Sequence, residues 1–81
     1  MPHKLRVLSG DEVISLFQKF GFAVSYSKGS HVKLSRVVDG ENQIIVVPRH
    51  DSVAKGTLKS IYRKTVFYVG EEKLKPLFYT D

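Results

Sequence analysis

The chain has 81 residues, 42% of them hydrophobic and 11% aromatic, no cysteine, and a formal charge of +5. These totals exclude a disulfide-stapled or thiolate-metal scaffold and argue against disorder, leaving one small domain, residues 1–81, with a limited core. The positive excess favours polyanionic partners, whether RNA, DNA or an acidic protein.

The N-terminal "MPHKLRV" lacks the apolar region of a secretory signal and reads as a tail. There is no apolar run long enough for a membrane helix, so no membrane association is expected and a reducing cytoplasm fits best. In "LSGDEVISLFQKFG", Ser9 and Glu12 hold the S-x-x-E relation of a capping box, and Leu8 and Val13 the two ends of a hydrophobic staple. Val13, Leu16, Phe17 and Phe20 recur at helical spacing, and Gly21 closes the helix.

Period 2 then takes over. In "FAVSYSK", Phe22, Val24 and Tyr26 alternate with Ala23, Ser25 and Ser27, which assigns Tyr26 to the core face. After a turn at Lys28-Gly29-Ser30, a second strand spans about His31 to Val38. Asp39-Gly40 signals a tight hairpin, and "NQIIVVP" is the third strand, stopped by Pro48. Its apolar residues fall on both faces, which suits an outer face covered by another chain.

Helical spacing returns in "KGTLKSIYRKTVFYVG", where Leu58, Ile61, Tyr62 and Thr65 share a face that Val66 and Val69 extend and Gly70 ends. The segment 71–81 allows a short closing helix, with Pro76 distorting anything longer. The order α-β-β-β-α predicts a two-layer α+β fold, a three-stranded antiparallel sheet with its helices on one face. Its core falls at about residues 9–70.

If Val32 and Leu34 face the helices, His31, Lys33 and Ser35 face outward. Imidazole exchanges protons near neutrality, and a phosphodiester beside an RNA 2′-hydroxyl needs such a group together with nearby positive charge. Lys28 and Lys33 supply that charge, and Gly29 with Ser30 allows close backbone approach to a ligand. Lys55, Lys59 and Arg63 recur at i, i+4 and i+8 along one ridge of the last long helix, with Arg49 just before it, as phosphate-binding groups would. Tyr26, Tyr62, Tyr68 and Tyr79 are the aromatic candidates for base stacking, but the first two lie on faces assigned to the core. His3 and His50 carry no assigned role, and the three histidines do not match a zinc spacing, so neither metal nor other cofactor is expected.

Taken together, Gly21-Phe22, Gly29-Ser30-His31, Val47-Pro48-Arg49-His50 and Gly56-Thr57-Leu58 resemble, in order and spacing, the HicA-like (YcfA-like) family of small toxins. The resemblance covers roughly residues 9 to 70. It implies a double-stranded-RNA-binding-like fold, cleavage of mRNA by a toxin of a type II toxin–antitoxin system, and neutralisation by a HicB-type antitoxin. It also implies that the histidine of the G-S-H motif, here His31, is catalytic. Phe22 stands where many relatives have Trp. Two other readings remain open: a non-catalytic RNA-binding module of the same fold, and a basic surface for an acidic protein partner.

Overall fold

The computed structural model describes residues 3–81. The first two positions of the expected 1–81 domain lie outside the described residues. The chain runs β1 (Lys4–Leu5), α1 (Gly10–Gln18), β2 (Ala23–Lys28), β3 (His31–Val38), β4 (Glu41–Pro48), α2 (Lys55–Val69), α3 (Glu71–Phe78) and β5 (Tyr79–Thr80). Strands β2, β3 and β4 form an antiparallel sheet in that order. With the helices it makes the expected α+β, double-stranded-RNA-binding-like architecture.

Local chemistry starts α1 and turns the chain after α1 and β3 as expected. The Glu12 backbone N–H donates to Ser9 Oγ at 3.0 Å, and the Ser9 N–H donates to Glu12 Oε1 at 2.8 Å, completing the capping box that starts α1. Gly21, at φ +91°, turns the chain out of α1. Asp39 and Gly40, at φ 52° and 79°, form the two-residue β3–β4 turn, a conformation that matches the right-handed strand twist. Opposed residues in antiparallel strands share a face, so the register sorts the sheet. Val32 opposite Val47 and Leu34 opposite Ile45 point inward, each no more than 2% exposed. They meet Val13, Ile14 and Phe17 of α1 and Leu58 and Ile61 of α2 in one apolar cluster. Ile14, outside the predicted stripe of α1, is part of that core, while Leu16 and Phe20 pack only at its edge.

The segment after Gly70 contributes more than the sequence pattern promised. Helix α3 runs through Pro76 and buries Leu74 and Phe78 completely. The Phe78 ring lies 6.0 Å from that of Phe17 and 5.4 Å from that of Tyr62, centroid to centroid. The chain ends then meet: Lys4 pairs with Thr80 and Leu5 with Tyr79, and the Arg6 N–H donates to the Phe78 carbonyl at 2.7 Å. What read as an N-terminal tail is therefore, from Lys4 onward, tied to the end of the chain.

One expectation fails at β2. Tyr26 is not in the core; it is 58% exposed on the opposite face. A β-bulge falls between Val24 and Tyr26, with Val24 opposite inward-facing Leu34 but Tyr26 opposite outward-facing Lys33. The extra residue, Ser25, breaks the alternation, and its hydroxyl donates to the Lys33 carbonyl at 3.2 Å.

Candidate active site

Two outward rows cross the sheet at one end. The register places Lys28, His31 and Pro48 side by side, and beside them Tyr26, Lys33 and Val46. His31 opens β3 directly after the Gly29-Ser30 turn, in which Gly29 takes the left-handed φ of +59°. That conformation strains any residue with a Cβ, and it brings Lys28 back beside His31. The Arg49 N–H donates to the Ser30 carbonyl, joining the tip of this hairpin to the segment that follows β4.

The result is a shallow depression of about 640 Å³, lined by Tyr26, Lys28, Gly29, Ser30, His31, Lys33 and Val46. None of these residues is acidic. Its floor combines an aromatic ring, a valine and two lysines around an exposed imidazole. An anionic ligand with an apolar part suits that lining: the cations attract its charge, and the ring and valine cover its apolar surface.

Of the residues singled out in the sequence, Lys28, Gly29, Ser30, His31 and Lys33 come together in this depression. Arg49 does not. Its Nε donates to Asp11 Oδ1 at 2.7 Å, and it lines a separate depression with Asp11, Val24 and Ser27. Lys55, Lys59 and Arg63 are exposed along α2, which packs through Leu58, Ile61 and Thr65. They belong to the helical layer, whereas His31 belongs to the outer face of the sheet. Ala54, the residue just before α2, makes no side-chain capping hydrogen bond.

Tyr26 and Val46 are the lining residues that sequence reasoning missed. A signal for Tyr26 existed. Counting alternation forward from buried Phe22 turns Tyr26 inward. Counting back from His31 across a two-residue turn pairs Lys28 with His31 and turns Tyr26 outward. Both counts hold only if the strand contains a bulge. Among the described residues, no three His, Asp or Glu side chains group as a metal site would need, and no helix is long and apolar enough to cross a membrane.

A family model described as the HicA toxin of bacterial toxin–antitoxin systems matches residues 10–65, more than half of the chain, from the start of α1 into α2. Neither curated proteins nor solved structures give a match.

Proposed function

The chain belongs to the HicA toxin family of bacterial toxin–antitoxin systems, and from that premise we propose that it is an mRNA endoribonuclease whose catalytic group is His31. The observation that carries the reading is the position of His31: exposed at a strand start, on the uncovered sheet face, between Lys28 and Lys33 and next to a left-handed glycine turn.

In this reading the RNA backbone crosses the depression with a 2′-hydroxyl at the imidazole. Neutral His31 takes the 2′-proton as the 2′-oxygen bonds to the adjacent phosphorus. The bond from phosphorus to the 5′-oxygen breaks, and the imidazolium or water returns a proton to that leaving oxygen. The products are a 2′,3′-cyclic phosphate and a 5′-hydroxyl. Lys28 and Lys33 stabilise charge gathering on the phosphoryl oxygens, with Gly29 and Ser30 close to the scissile group. The route draws on the RNA, water and this chain's own residues. Lys55, Lys59 and Arg63 hold flanking phosphates, and Arg49 contributes where the strand leaves the sheet. The site of action is the cytoplasm, and a HicB-type antitoxin is the partner that silences the enzyme.

The test compares RNA cleavage by the wild-type protein and His31→Ala, each with and without EDTA. We expect wild-type cleavage in both conditions and none by His31→Ala, which should fold normally because the side chain is exposed. Equal cleavage by the two proteins rejects His31 as the catalyst. A 2′-deoxy residue at the cut should block the reaction; continued cutting rejects the 2′-hydroxyl route. Binding without cleavage by the wild-type protein favours the non-catalytic RNA-binding reading instead.

A further inference from the structure

The bulge at Ser25 turns an aromatic ring out of a core that has limited apolar surface to spare. Tyr26 ends 58% exposed, and Val46, in the same cross-sheet row, is 49% exposed. Lys33 stands between them. Large aromatic side chains usually contribute to cores, and straightforward alternation from Phe22 would have put this one there. The sheet instead presents it beside the candidate catalytic residue.

From this arrangement we infer that Tyr26 is a base-stacking platform, and that the chain grips RNA through an unpaired nucleotide next to the bond at His31. The inference rests on the nuclease reading and adds a binding residue and a substrate form to it. The geometry supplies three parts. Tyr26 and His31 are diagonal neighbours on adjacent strands, a relation that spaces residues by roughly 7–8 Å. A base on the ring therefore belongs to a nucleotide adjoining the phosphate at the imidazole. Lys28 and Lys33 flank the pair and suit the backbone that links base to phosphate. Val46 extends the apolar floor beyond the ring.

A base still paired and stacked in a duplex offers no free face to a side chain, so the contact selects RNA that is single-stranded at the cut. Stacking uses the face that every base has and reads no hydrogen-bond edge. Tyr26 therefore raises affinity without imposing a base preference. This assigns the sheet face to single strands even though the overall fold is of the double-stranded-RNA-binding type.

The experiment uses 2′-O-methyl RNA, which resists attack by the 2′-oxygen, so binding is read without turnover. A 2-aminopurine base at successive positions reports stacking by its quenched fluorescence. Wild-type protein should quench one position, and Tyr26→Phe should retain the quench with affinity within about twofold, since the ring is kept. Tyr26→Ala should lose the quench and bind about 5- to 150-fold more weakly. Binding of the fully duplexed RNA should be the same for all three proteins. Because Tyr26 is exposed, thermal melting should show the variants folded. Unchanged single-strand affinity in Tyr26→Ala overturns the inference. So does Tyr26→Phe behaving like Tyr26→Ala, which assigns the effect to the hydroxyl, and so does an equal loss on duplex. Parallel assays on ordinary RNA separate the two readings. Ring-dependent quenching without cleavage keeps the stacking site and rejects the nuclease. Cleavage by His31 with ring-independent binding rejects the stacking site alone.

Discussion

The Arg36 guanidinium donates to the Tyr68 carbonyl at 2.7 Å, fastening the middle of β3 to the last turn of α2. The same group donates to the Phe20 carbonyl beyond the end of α1 and to Gln43 Oε1 on β4, both at 2.6 Å, and lies 4.6 Å over the Phe22 ring. Carbonyls at helix C-termini lack intrahelical partners and carry partial negative charge, so one cation serves both helix ends. Arg36→Met should therefore destabilise the fold by about 2–4 kcal/mol, because it strands several acceptors at once. Urea unfolding measures this, and Arg36→Lys should recover only part of the loss. A change below about 0.5 kcal/mol for Arg36→Met would show that water replaces the whole network.

Gly10 is the second structural pivot. A Cβ at this position would overlap the Pro48 carbonyl oxygen and lie 2.6 Å from Arg49 Cα, so α1 starts pressed against the end of β4. The Gly10 N–H donates to the His50 carbonyl at 2.8 Å across the same contact. Gly10→Ala should cost about 1–3 kcal/mol by overpacking, reversing the gain alanine brings to an ordinary helix position. Denaturant unfolding decides it, and a more stable alanine variant would mean that the two backbones separate freely.

The lysines of the depression and Arg49 should differ in their salt dependence. Each phosphate neutralised on single-stranded RNA contributes about 0.7 to the slope of log K against log salt. Lys28→Ala and Lys33→Ala should each lower the slope by about that amount. Arg49→Ala should lower it less, because Asp11 already partners that charge. Asp11→Asn should raise the slope by releasing Arg49. Fluorescence anisotropy titrations across a salt series read all four. An Arg49 effect equal to that of the lysines would show that RNA displaces Asp11 at no cost.

Tyr62 should make stability sensitive to alkali. Burial, chiefly, with the Glu71 carboxylate and Tyr79 adding to it, raises its pKa above the usual 10.0. The folded state therefore keeps the proton to higher pH than the unfolded chain does. The associated stability is fully present below pH 10.0 and declines as pH rises through the folded value. The melting temperature of wild type should fall more steeply above pH 10.0 than that of Tyr62→Phe. Parallel curves would mean that ionisation of this phenol costs the fold nothing.

Much of the architecture was legible because its signals are local. Ser9 and Glu12 sit one helical turn apart, so their reciprocal bonds follow from spacing alone. Asp39-Gly40 selects a hairpin through backbone preferences confined to two residues. Val32 and Leu34 alternate with His31 and Lys33, and that period was enough to put the histidine on the outer face beside a lysine. The glycine turn before it was legible for the same reason.

The tertiary structure decided what depends on partners distant in sequence. Leu5 meets Tyr79 from the opposite end of the chain, and Phe78 reaches Phe17, because burying apolar surface rewards contacts that no local period encodes. Arg36 reads as one more strand cation until two helix ends converge on it. Arg49 reads as a free charge until α1 brings Asp11 alongside. Tyr26 changes face through a single extra residue in β2, because side chains alternate with period 2 and a shift of one reverses them. The sequence alone thus determined which way the imidazole points and where the main helices and sheet strands form; packing among distant segments determined that Arg49 is partnered by Asp11 and which ring stands beside the imidazole.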